Sequence, residues 1–134
     1  MNIFVSYTTR NNEVTIHSLF NLSNKINSLG SIFIDIIDNN SDDKQSRVLE
    51  ELKKAELLIL IKSKSILNSE WVRFEIESAN EKNIPIVEFN INDVDSLTEQ
   101  EIEKRIMIGI ESKKCRTTNK SVRRKLGRVS SEFL

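Results

Sequence analysis

The sequence predicts an α/β domain, a flavodoxin-like, doubly wound parallel sheet of strand order 2-1-3-4 with helices on both faces. Three observations carry this reading. Four short apolar runs, Ile3–Tyr7, Ile32–Ile37, Leu57–Ile61 and Ile84–Phe89, alternate with longer segments of helical spacing. The run Leu57-Leu58-Ile59-Leu60-Ile61 has no polar alternation, the pattern of a strand covered on both faces. Right-handed crossovers and short connections then favour the 2-1-3-4 order. A fifth edge strand is only weakly indicated.

The elements follow in order. The chain enters its first strand at once, through Met1-Asn2-Ile3. Leu19, Leu22, Ile26 and Leu29 then make an apolar stripe at helical spacing, and Gly30 stands where a left-handed C-cap would sit. After the second strand a polar loop, Asp38–Gln45, leads to a shorter helix marked by Val48, Leu49 and Leu52. After the third, Asn68 or Ser69 can cap a helix that buries Val72, Ile76 and Ala79 and ends near Asn83. Pro85 opens the fourth strand, where its missing N–H costs least. A last helix is expected over Thr98–Ile110, with Ile102, Ile106 and Ile110 stacked and Asp95-Ser96-Leu97 as the start signal. The domain is placed at 1–112. Residues 113–134 form a basic C-terminal tail, read as a short helix or a disordered extension.

Composition narrows the function. Formal net charge is zero, but residues 113–134 hold eight Lys/Arg and one acid, leaving the body about −7. A nucleic-acid partner is therefore not expected for the body. The single cysteine, Cys115, allows neither an intrachain disulfide nor a cysteine zinc cluster, and a reducing cytoplasm is the expected compartment. No apolar run is long enough for a membrane span, and the N-terminus lacks the pattern of a signal peptide. With three glycines in all, Gly30, Gly109 and Gly127, a Gly-rich phosphate loop is excluded. The lone histidine, His17, reads as a surface helix residue, so neither a metal site nor a histidine triad is supported.

Carboxylate and aromatic chemistry remains. Trp71 and Glu75 lie four residues apart, on one face of the helix after the buried third strand. In open α/β sheets ligands collect at the strand C-termini. Read off the sequence, that edge holds Ser6, Tyr7, Thr8, Asp35, Asp38, Lys62, Ser63, Glu88 and Asn90. A carboxylate there can bond ribose hydroxyls and stabilise an oxocarbenium-like transition state. Cleaving an N-glycosidic bond whose leaving group is already cationic needs no general acid, and oxidised NAD carries such a group. Taken alone, Glu75 is as readily a solvated helix acid and Trp71 a packing residue. Asp35, read as lying inside an apolar strand, is as readily a structural hydrogen-bond acceptor.

Three segments in register resemble a known family. Ile3-Phe4-Val5-Ser6-Tyr7 is similar to the first box of the Toll/interleukin-1 receptor (TIR) domain, and Ile32-Phe33-Ile34-Asp35 to its second strand with its acid. Ser69-x-Trp71-Val72-x-x-Glu75-Ile76-x-x-Ala79, followed by Ile84-Pro85-Ile86-Val87, resembles the stretch that holds the family's catalytic glutamate. The likeness covers about residues 1–91. It implies cleavage of NAD+ at the nicotinamide–ribose bond, as a glycohydrolase, ADP-ribosyl cyclase or transferase, with Glu75 catalytic. Ser6, Tyr7, Thr8, Arg10, Asp35 and Trp71 would then border the substrate, and NAD+ would be a substrate rather than a cofactor. Thr8 stands where a basic residue often follows the tyrosine, with Arg10 as a substitute, and Val72 replaces the usual cysteine. Small stand-alone bacterial members of this kind serve antiphage defence of the Thoeris type. They imply self-association through TIR–TIR contacts and a separate effector reached by a diffusible nucleotide signal. A non-enzymatic TIR adaptor and a related nucleoside or nucleotide transferase are the competing readings.

Overall fold

The four apolar runs fold into one sheet of β1 (Asn2–Ser6), β2 (Ser31–Phe33), β3 (Leu57–Lys62) and β4 (Ile86–Asn90). All pairings are parallel, and the order is β2-β1-β3-β4, as the sequence predicts. The computed structural model describes residues 1–9, 13–64 and 66–126, with the side chains of the last helix described as far as Lys113. No fifth strand occurs among these residues.

Successive strand residues point to opposite faces, so an unbroken apolar run feeds two cores. Ile3, Val5, Leu57, Ile59, Ile61, Val87 and Phe89 fill one. It is covered by α1 (Ile16–Ile26), α5 (Ile91–Ser96) and α6 (Glu99–Leu126), through Leu19, Leu22, Ile26, Val94, Ile102 and Ile106. Phe4, Phe33, Leu58 and Leu60 fill the other, under α3 (Lys44–Lys54) and α4 (Glu70–Glu81), which contribute Val48, Leu52, Val72 and Ala79.

Local chemistry sets the helix ends. Thr15, Asp43 and Ser69 cap α1, α3 and α4 by accepting from the backbone N–H three residues on. Of the two candidates for α4, Ser69 is the cap. That helix closes in a Schellman turn: Asn83 adopts φ 59°, Asn83 N–H donates to Asn80 O, and Ile84 N–H donates to Ala79 O. Pro85 lies just before β4, and its carbonyl accepts from Leu58 N–H.

Several expectations need correction. The second strand does not run to Ile37. It ends at Phe33 because the Asp38 carboxylate accepts Ile34 N–H at 2.8 Å and folds a short helical turn, α2 (Asp35–Asp38). Asp35 therefore opens this turn, half-buried, rather than lying within a strand. The polar loop is correspondingly shorter than Asp38–Gln45, since Asp38 closes α2 and Lys44 begins α3. Gly30 is required, but not as a left-handed cap. Its φ is 151°, and a Cβ would lie 2.0 Å from Met1 O, whose carbonyl accepts Ser31 N–H to start the sheet.

The last helix starts from Thr98, not from Asp95-Ser96-Leu97. Thr98 and Glu101 form a reciprocal capping box, with bonds of 3.0 and 3.2 Å. Asp95 and Ser96 belong to α5, and Asp95 accepts from Ser18 and Asn21 of α1. Lys25 completes that junction by donating to the carbonyls of Val94, Asp95 and Leu97 at the end of α5. The α6 helix also runs past Ile110 to Leu126, into the segment read as a tail. Residues 127–134 lie outside the described residues.

Gly109 lets α6 settle closely on β4, because a Cβ there would stand 2.6 Å from Val87 Cγ2. Gly109→Leu is expected to lower stability by about 1–3 kcal/mol through overpacking. Val87→Ala should recover part of the loss in the double variant, read from urea unfolding as a non-additive pair.

Candidate active site

Strand order 2-1-3-4 reverses the direction of chain travel between β1 and β3, which opens a crevice at their C-terminal ends. A cavity of about 400 Å³ lies at this edge. Tyr7, Thr8 and Thr9 reach it from the end of β1, Asp35 and Ile36 from α2, Lys44 from the start of α3, and Trp71 and Glu75 from α4.

Glu75 is the unusual member. It is 4% exposed, on the same buried helix face as Val72 and Ala79. The hydroxyl of Ser6, last residue of β1, donates to its Oε1 at 2.7 Å. Burial pushes the Glu75 carboxyl up to about 7. The Ser6 hydrogen bond opposes the rise, the nearby Asp35 charge adds to it, and the Trp71 side chain opposes it more weakly. The carboxyl thus sits near its midpoint at neutral pH, a poise typical of functional carboxylates.

The surrounding groups fix the walls. Tyr7 Oη accepts Ile36 N–H at 2.9 Å and so ties the end of β1 to α2. Burial drives the Tyr7 phenol up to about 12; the Ile36 bond opposes this, and the charges of Asp35, Glu75 and Asp38 reinforce it. Tyr7 therefore stays neutral and serves as wall and tether. Trp71 stacks on Phe74 with ring centroids 5.3 Å apart, and both rings remain partly exposed at the mouth.

Five residues singled out from the sequence, Tyr7, Thr8, Asp35, Trp71 and Glu75, line this one cavity. Ser6 stands behind it, buried and bonded to Glu75. Arg10 lies outside the described residues. Lys62, Ser63, Glu88 and Asn90 do not line it; Lys62 and Glu88 pair with each other on the surface at 3.5 Å.

Sequence reasoning missed Lys44 and Asn39, both in the stretch read as a polar loop. Asn39 is buried, and its Nδ2 donates to Asp35 Oδ1 at 2.7 Å and to Lys44 O at 3.0 Å. Lys44 Nζ donates back to Asn39 O at 3.0 Å. An asparagine among acids after a strand carries a turn signal, but nothing in its spacing shows that it is buried. Among the described residues no group of three or more His, Cys, Asp or Glu could hold a metal ion, and no helix is long and apolar enough to cross a membrane.

Comparison with protein families decides the relationship. The family described as Thoeris protein ThsB, TIR-like domain, matches residues 4–96. The chain belongs to this family. The matched stretch starts within β1 and ends with α5, so it contains the sheet except for Asn2 and Ile3, and every described residue that lines this cavity. The α6 helix follows beyond it. No curated protein and no solved structure matches the chain.

The raised Glu75 pKa has a definite stability signature. The fold favours the neutral carboxyl, so the stability this group supplies is full below about 4.5 and is lost as pH rises through about 7. Glu75→Gln keeps the acceptor for Ser6 and removes the charge. Its unfolding free energy should match the wild type near pH 4.5 and exceed it at pH 8, with a gap on the order of 3 kcal/mol and a higher melting temperature. Equal melting curves at both pH values would show that the carboxylate is not held against its solvation.

Proposed function

We propose that this TIR-like domain consumes NAD+ in antiphage defence, breaking the nicotinamide–ribose bond and making an ADP-ribose-derived signal. One observation carries the reading: the buried carboxylate of Glu75, held by Ser6, borders a cavity at the switch point of the sheet.

The chemistry follows from charge. In NAD+ the ring nitrogen of nicotinamide is already cationic. Heterolysis of the C1′–N bond returns the electron pair to that nitrogen and leaves the positive charge on the ribose as an oxocarbenium ion. An ionised carboxylate beside it is stabilised most when the cation is fully developed. A desolvated glutamate gains more from that cation than a solvated one, because no water shell screens the pair. Tyr7 and Trp71 supply flat surfaces, and Asp35 supplies an acceptor for ribose hydroxyls. Water, a hydroxyl of the same molecule or another nucleophile then captures the ion and loses a proton. These acceptors separate hydrolysis, cyclisation and transfer.

In this reading the product leaves the enzyme, in the cytoplasm, as a diffusible nucleotide for a separate effector protein. Copies of the domain associate with one another, and the exposed Ile36, Trp71 and Phe74 around the mouth favour contacts there. Purified full-length protein, assembled or triggered, is expected to release nicotinamide from NAD+. Glu75→Gln should lower the rate by at least a hundredfold with an unchanged circular dichroism spectrum. For the wild type, kcat/KM should rise with pH and level off above about 7, because the ionised carboxylate is the active form. Antiphage protection retained in full by Glu75→Gln would instead support an adaptor working through protein contacts alone.

A further inference from the structure

Of the buried polar side chains, Ser6, Thr8 and Glu75 belong to the site and Ser18 to the junction of α1 with α5. Asn39 belongs to neither. It stands between α2 and α3, 4% exposed, and does not line the cavity itself. Its side-chain amide is nonetheless fully used. The two hydrogens of Nδ2 go to Asp35 Oδ1 at 2.7 Å and to Lys44 O at 3.0 Å. Oδ1 accepts Ser41 N–H at 3.2 Å.

These bonds differ in kind. The one from Ser41 is the local turn that a loop asparagine commonly makes. The one to Asp35 is the shortest of the three, and it runs to a charged group that lines the cavity with Glu75. No other hydrogen bond reaches the Asp35 carboxylate among the described residues. The amide holds Oδ1 and leaves Oδ2 free for a ligand.

The partner set demands an amide of this length. A carboxylate and a carbonyl only accept, so both need donors, while Ser41 N–H needs an acceptor on the same side chain. Aspartate lacks the donors, serine lacks the reach, and glutamine brings an extra methylene into a buried place. The charge fixed in this way is felt nearby: Asp35 adds to the upward push on the Glu75 carboxyl and on the Tyr7 phenol.

We propose that Asn39 is a positioning residue of this site: its amide fixes the Asp35 carboxylate in the cavity wall, so that this second acid meets the substrate sugar and Glu75 from one place. The effect on turnover rests on the NAD+ reading above; the hold on Asp35 and its influence on Glu75 rest on geometry and charge. Around the pair stand Tyr7 of β1, Asp38 of α2, Lys44 of α3 and Glu75 of α4.

Three variants of the full-length protein separate positioning from mere support of the fold. Asn39→Asp keeps the shape and the acceptor for Ser41, but sets two carboxyls side by side. They share one proton at low pH and repel once it is lost. The ratio of its kcat/KM to that of wild type should therefore fall about tenfold or more between about pH 5.5 and pH 8.5. Exchanging the two residues, Asp35→Asn with Asn39→Asp, rebuilds an amide–carboxylate bond with the charge on residue 39 instead. The exchange should recover most of the melting temperature lost in Asn39→Asp at high pH, while kcat remains about tenfold or more below wild type. Asn39→Ser cannot reach Asp35 and releases its charge from the wall. The Glu75 midpoint, read by NMR of the glutamate carboxyl carbons without substrate, should then move down by about 0.3 pH or more. Turnover restored together with the melting temperature by the exchange overturns the proposal, as does an unchanged Glu75 midpoint in Asn39→Ser. Wild type that releases no nicotinamide removes the NAD+ reading, and the Glu75 midpoint alone then decides for or against Asn39. Nicotinamide release with the exchange as active as wild type removes the positioning role and keeps the enzyme.

Discussion

A sheet that is apolar on both faces must be covered twice. This constraint organises the molecule. Ile3 and Val5 point to one core and Phe4 to the other, so helices have to lie on both sides of β1. Parallel strands also need crossovers, and a right-handed set of them in the order 2-1-3-4 must turn back once. The crevice between β1 and β3 is the consequence. Polar groups collect at its C-terminal end because the strands stop there and the two apolar layers leave it uncovered.

That edge sets the electrostatics of the site. Burying a carboxylate disfavours its charge, and a hydroxyl hydrogen bond contributes only about 1–3 kcal/mol in return. The balance at Glu75 falls on the side of desolvation, since its pKa rises to about 7 despite the bond from Ser6. An acid held in this way is relieved by a cation placed beside it. In the proposed reaction the cation is transient, which is the condition for stabilising a transition state more than a ground state. Ser6 then has a positioning role: it fixes the carboxylate from behind and leaves the other side to the cavity.

The loop after β2 shows a second level of organisation. Asp38 ends the strand by capturing Ile34 N–H, Tyr7 captures Ile36 N–H, and Asn39 gathers Asp35 and Lys44. Each bond is local or nearly so, and together they turn a polar stretch into a wall with an acid and a base side by side. On the opposite face, the Lys25 and Asp95 contacts and the Gly109–Val87 approach lock α5 and α6 against α1 and the sheet. The TIR-like match covers the first of these regions entirely and the second only through α5.

Much of this was legible in the chain. Strand order, the helix carrying Glu75, its cap at Asn68 or Ser69 and the two-sided burial of Leu57–Ile61 all follow from periodicity and end signals, because those are local properties of residue type and spacing. Placing Tyr7, Asp35, Trp71 and Glu75 at one edge follows from topology. The sequence by itself thus determined the layers and the ligand edge. Only the tertiary structure decided the rest. Asp35 moved out of the strand because Asp38 competes for a backbone N–H, which no pattern of apolar residues encodes. Gly30 proved necessary because the Met1 carbonyl lies 2.0 Å from where its side chain would be, a contact that exists only once β1 and β2 pair. Lys44 joined the cavity through a buried asparagine in what reads as a solvated loop. The poise of Glu75 is likewise tertiary: it depends on how much water the assembled walls exclude, and on a serine 69 residues away in the chain.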